Sequence, residues 1–107
     1  MAEFHFIQEE DKLVCVLKGR FGADVNEPFA VKLMEKIEDC LSSHADPGKL
    51  NVHFDMKQVD FIASAFIRTC MSTSRKVNPG NFRIVNASPM IKKTFLIAGL
   101  DKTFNVS

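Results

Sequence analysis

Tryptophan and tyrosine are absent from this sequence, and so are the usual marks of catalysis. It has no Gly-x-Ser-x-Gly elbow, no His-Glu-x-x-His pair, no phosphate loop and no Gly-x-Gly-x-x-Gly turn, so no catalytic residue is assigned and no enzymatic activity is expected. An excess of charge of one sign is missing too. Fourteen Lys plus Arg stand against thirteen Asp plus Glu, and a net charge of +1 gives no global field to recruit nucleic acid or an anionic membrane. No segment approaches the roughly 20 apolar residues of a membrane span. Met1 to Glu10 is acidic and polar where a secretory signal needs a basic start and an apolar run, so no membrane insertion and a cytoplasmic location are expected. Cysteines are few and unpaired in pattern. Cys15, Cys40 and Cys70 lie far apart inside apolar runs, as reduced core thiols do, and their spacing fits neither a zinc motif nor a redox pair. His5, His44 and His53 are equally scattered and read as ordinary exposed residues. No metal and no cofactor are expected.

What the sequence does have is apolar material, 46% of its 107 residues, enough for one compact domain over 1–107. Turn signals divide it into alternating strands and helices. Phe4 and Phe6, then Leu13 to Leu17, read as two strands joined by Glu9-Glu10-Asp11-Lys12, hence antiparallel. A helix from Glu27 to Ser42 follows, with Asn26 as N-cap, Pro28 in the first turn and Phe29, Leu33, Ile37 and Leu41 as its inner stripe. After Asp46-Pro47-Gly48, Leu50, Val52, Phe54 and Met56 alternate with Asn51, His53 and Asp55, the pattern of a strand with one dry and one wet face. A second helix carries Ile67, Cys70, Met71 and Ser74 on one stripe and stops at Asn78-Pro79-Gly80. Phe82 to Val85 forms the next strand. Ser88 and Pro89 open a third helix with Ile91, Phe95 and Ala98 facing inward, Gly99 as its left-handed cap and Leu100 closing a hydrophobic contact. Thr103 to Val106 reads as a last short strand. Right-handed crossovers make the later strands parallel. The fold class is therefore α/β, a mixed sheet with an antiparallel N-terminal pair and three main helices mostly on one face.

The informative segment is Val59-Asp60-Phe61-Ile62-Ala63-Ser64-Ala65-Phe66-Ile67-Arg68, where a strand hands over to the second helix. Ser64 at the helix start has two compatible readings. It N-caps the helix, at about 1 kcal/mol, or it carries a phosphate that the helix N-terminus accommodates. Phe66, in the first turn, reads as an exposed aromatic anchor, with inward packing as the alternative.

The strand, the Val-x-Phe-Ile step and the serine at the helix start resemble the signature of STAS domains, named for sulphate transporters and anti-sigma factor antagonists. Leu13 to Gly19 is similar to the family's second strand with its terminal glycine, Asn81 to Asn86 to the strand before helix three. Ser88-Pro89 to Phe95, with Ala98-Gly99-Leu100-Asp101-Lys102-Thr103-Phe104, resembles the closing stretch. The resemblance implies a STAS-like fold and a bacterial regulatory module whose partner is an anti-sigma factor or related serine kinase. It also implies that Ser64 is the phosphorylated residue. The partner surface it implies comprises Phe21, Gly22, Asp24, Phe61, Ala63, Ser64, Ala65, Phe66 and Arg68. The family's usual Asp-Ser-Ser-Gly is replaced by Ala63-Ser64-Ala65-Phe66, and a second acidic position matches Gly22. These replacements favour the alternative, a constitutive, non-phosphorylated STAS subunit of a larger signalling or transport assembly. The retained serine favours the switch. Oligomeric state is left open.

Overall fold

In the computed structural model, which describes residues 2–43, 46–78 and 80–107, the chain folds as β1 (Glu3–Glu9), β2 (Lys12–Phe21), α1 (Ala23–Ser43), a 3-10 turn (Pro47–Lys49), β3 (Asn51–Ile62), α2 (Ser64–Lys76), β4 (Phe82–Val85) and α3 (Pro89–Ile97). The sheet order is β1-β2-β3-β4, with β1 antiparallel to β2 and the other pairs parallel. Period-two alternation sends Leu13, Cys15 and Leu17 of β2, Val52, Phe54 and Met56 of β3, and Phe82 and Ile84 of β4 to one buried face. His5, Val14, Val16, His53, Asp55 and Arg83 stay exposed or half-buried on the other. The helices cover the first face only, as the alternation in β3 predicts.

Every phenylalanine except Phe61 takes part in a chain of ring contacts through this core, with Phe29 at its hub against Phe4, Phe21, Phe54 and Phe66. Edge-on and tilted pairs of this kind add about 0.5–1.5 kcal/mol each beyond the area they bury.

Several expected boundaries shift. α1 begins at Ala23, so Asn26 lies inside the helix and is not its cap, its side chain being outside the described residues. Pro28 falls in the second turn, where it removes the bond its N–H would have made to Asp24. Cys40 rather than Leu41 completes the buried stripe of α1 after Phe29, Leu33 and Ile37. In α2 the buried stripe is Phe66, Thr69, Cys70 and Thr73, and Ile67 and Met71 are half-buried. The threonines tolerate burial because their hydroxyls bond back along the helix, Thr69 to the Ala65 carbonyl at 3.3 Å and Thr73 to that of Thr69 at 2.8 Å. Ala98 is exposed. The last expected strand reduces to one parallel bridge, Ile84 to Val106. His44 and Pro79 lie outside the described residues.

β3 is longer than its alternation indicates because it bulges twice. Between Val16 and Lys18, and again between Gly19 and Arg20, β2 advances by one residue fewer than β3. Asp55 receives the Lys57 N–H on its side chain at 3.1 Å, and Gly19 turns through a φ of 96°. Each bulge resets the alternation, so Val59 and Ile62 return to the core while Phe61 points out.

Candidate functional site

The three helices all start where parallel strands end, the edge at which open α/β sheets gather ligands. The Ala63 N–H donates to the Phe21 carbonyl at 2.9 Å. That bond ties the end of β2, just before Gly22 and the start of α1, to the residue that precedes α2.

Ala63, not Ser64, is the N-cap of α2. Its backbone is extended, at φ −95° and ψ 168°, and its carbonyl accepts the first helical bonds from Phe66 N–H at 3.0 Å and Ile67 N–H at 3.4 Å. The expected capping role of Ser64 is thereby overturned: Ser64 is the first helical residue, and no side chain makes a capping bond to the free N–H groups of α2. It is exposed and makes no side-chain hydrogen bond among the described residues. An alanine cap offers no acceptor, and the first turn of α2 holds no acidic residue. The N-terminal N–H groups and the positive end of the helix dipole thus meet no side-chain anion of their own turn, an environment suited to an added negative group.

The expectation of an exposed Phe66 fails. Its ring is fully buried between Phe21, Phe29 and Phe54, with centroids 5.4–6.0 Å away, because residue 66 lies on the core side of the first turn. Phe21 is fully buried as well. Neither ring is available to touch a partner, and both instead fix the backbone at the two helix starts. Gly22, Ala63 and Ala65 are half-buried, whereas Asp24, Ser64 and Arg68 are exposed. Phe61 is 40% exposed, and the Arg20 guanidinium lies 4.6 Å from its ring centroid, a cation–π pair made possible by the second bulge. Sequence reasoning passed over Arg20. β2 runs past Gly19 to Phe21, which pairs Arg20 with Phe61 near the end of β3.

A profile of the STAS domain family matches residues 24–107. The chain belongs to the STAS domain family. Among solved structures, an anti-sigma factor antagonist from Mycobacterium paratuberculosis is similar, with TM-score 0.81 at 18% identity over 99% of this chain and 85% of that one. The unphosphorylated form of the antagonist SpoIIAA gives TM-score 0.73 at 16% identity over 98% and 88% of the two chains. The phosphorylated form of the Bacillus cell fate determinant SpoIIAA gives 0.66 at 16% over 98% and 91%. At these identities the likeness is one of fold. Among curated protein sequences, none matches this one.

In this STAS chain Asp24 stands close to where a side chain at Gly22 would be. Its Oδ1 lies 3.0 Å from the point a Cβ on Gly22 would occupy. The Asp24 carboxylate in the first turn of α1 thus occupies space beside Gly22. Cys15, Cys40 and Cys70 are buried and unpaired, and burial pushes all three above the ordinary thiol range, which keeps them protonated and unreactive. Among the described residues no cluster of His, Cys, Asp and Glu could hold a metal ion, and no helix is long and apolar enough to cross a membrane.

Proposed function

We propose that this chain acts as one STAS unit that binds a protein partner, an anti-sigma factor or related serine kinase, and that phosphate on Ser64 turns the binding off. The observation that carries the reading is the Ser64 hydroxyl, exposed and uncommitted at the first position of a helix without a side-chain cap. The kinase moves the terminal phosphoryl group of a nucleoside triphosphate to Ser64 Oγ: the new O–P bond replaces the bond to the leaving diphosphate, and the hydroxyl proton passes to the kinase's base. The product gains about −1.5 to −2 charges at neutral pH, which the helix N-terminus and Arg68, one turn on along the same face, accommodate within this chain. The partner meets that charge where it previously met a neutral hydroxyl, and binding weakens. Likeness in fold to anti-sigma factor antagonists, one of them solved in phosphorylated and unphosphorylated forms, supports this reading.

A second reading, a constitutive subunit of a larger assembly, is favoured by one feature. Phe66 replaces the glycine usual in the family and anchors the loop to the core, which leaves the partner a rigid surface. The two readings separate in a copurification from the source cell with tagged wild type, Ser64→Ala and Ser64→Asp, followed by binding to the purified partner. Under the switch, Ser64→Asp loses at least about tenfold in affinity, Ser64→Ala keeps it, and phosphoserine appears at residue 64 of the wild type. Equal binding by all three leaves the constitutive reading.

A further inference from the structure

The large apolar side chains left exposed on this chain are not spread evenly. Ile7, Val31 and Phe61 lie singly on β1, α1 and β3, but Met90, Leu96 and Ile97, at 73%, 61% and 76% exposure, share the nine residues of α3. Ile91 and Phe95 face the core. At 100° per residue, Met90 and Ile97 lie two turns apart on one outward line, Leu96 lies on a neighbouring line beside Lys92, and Lys93 falls between the two lines. Lys102 follows just beyond the helix. None of these three lysines is in an ion pair among the described residues, and Asp101 is the only acidic residue from Pro89 to Thr103. A net charge of +1 for the whole chain thus conceals a locally basic, apolar face.

We propose that this outer face of α3 adsorbs to an anionic phospholipid surface, with Met90, Leu96 and Ile97 among the headgroups and Lys92 and Lys93 at the phosphates. Three observations choose lipid over a protein. Lys93 sits inside the apolar arc, where a protein interface would strip its ammonium of water. Interface cores are depleted in lysine, whereas at a bilayer the side chain snorkels to the phosphates beside inserted neighbours. The face offers neither an aromatic ring nor an arginine, the residues that anchor protein interfaces, and one short helix falls far below the roughly 20–30 residues a side of a stable complex. A second copy docked across a two-fold axis would set the same lysines against each other. An amphipathic helix with lysines among its exposed apolar residues instead matches the chemistry of interfacial adsorption, in which apolar burial and attraction to anionic lipid act together. The inference is independent of the function proposed for Ser64, which lies on a different helix.

The test uses the full chain and sedimentation with vesicles of phosphatidylcholine alone or mixed with phosphatidylglycerol. Expected is binding to the mixed vesicles that is weakened by salt, with little on phosphatidylcholine. The double variant Lys92→Glu, Lys93→Glu should lower partition onto mixed vesicles at least about tenfold. Met90→Ser with Ile97→Ser should lower it while circular dichroism and thermal midpoint stay unchanged, since both side chains are exposed. Equal sedimentation with both vesicle types, sedimentation with neither, or indifference to both double variants overturns the proposal. So does a dimer in analytical ultracentrifugation that Met90→Ser with Ile97→Ser dissolves, which would give the face to a second copy.

Discussion

Two helices of this chain begin at the same pair of residues: β3 leads into Ala63-Ser64, β4 into Ala87-Ser88. At α3 the serine is the cap. Ser88 is extended, its Oγ accepts the Ile91 N–H at 3.3 Å, and Pro89 takes the first helical position. At α2 the pair is shifted by one, so the alanine caps and the serine stands free. Proline accounts for the first register, because the residue before it is driven out of the helical region and Ser88 must remain outside the helix. The core accounts for the second. Ala63 is still held to Phe21 by a sheet-like bond, and Phe66 has to enter the ring cluster three residues later. The same dipeptide yields a structural cap in one place and an available hydroxyl in the other, and the neighbours decide which.

The comparison is broken most severely at the ring that holds its second half. Phe66→Ala should cost about 3–5 kcal/mol in urea denaturation. A loss under about 1 kcal/mol would mean that the register of α2 is held by something else. A direct contrast comes next: Ser88→Ala should lose about 1 kcal/mol, and Ser64→Ala should stay within about 0.5 kcal/mol of wild type. Equal losses at the two serines would erase the distinction. Ala63→Ser supplies the acceptor that α2 lacks and should raise stability by up to about 1 kcal/mol, and a destabilised variant would show that the half-buried alanine has no room for a hydroxyl. The smallest effect concerns the pH at which these measurements are made. Burial, then the charges of Lys12 and Arg83, lower the His53 pKa below its ordinary value of 6.5. The unfolded chain therefore takes up this proton first as pH falls, so stability decreases from about pH 6.5 downward and is unaffected well above it. His53→Gln should flatten that acid limb relative to wild type. Parallel limbs in thermal midpoints would assign it to other groups.

Much of the architecture was legible because its signals are local. The two-residue period of Val52, Phe54 and Met56, and the sequence Ser88-Pro89 with Gly99-Leu100, each state a structure without reference to anything distant. The end of α3 illustrates this: the Gly99 N–H bonds to the Leu96 carbonyl at 3.0 Å and the Leu100 N–H to that of Phe95 at 2.9 Å, with Gly99 at φ 74°. What escaped reading depends on tertiary partners. Phe66 looks the same in sequence whether it turns in or out, and only the surrounding Phe21, Phe29 and Phe54 draw it inward. The register of Ser64 follows from a bond between two strand ends that the sequence does not announce. Thr69 and Thr73 disguised the buried stripe of α2 because their polarity is absorbed by the helix itself. α1 was shortened at its start because a proline usually marks a first turn, and this helix carries one in its second.

Phe61, the phenylalanine that stands outside the ring network, has a consequence for how this protein can be watched. With no tryptophan or tyrosine, the chain is nearly dark in the near ultraviolet, and its nine other phenylalanines, packed together, would report little about the surface. A Phe61→Trp variant would carry a single indole under the Arg20 guanidinium, next to the start of α2, with no other emitter to correct for. Its fluorescence would serve as a built-in gauge of whatever settles on that edge of the sheet, read from one residue and without a label.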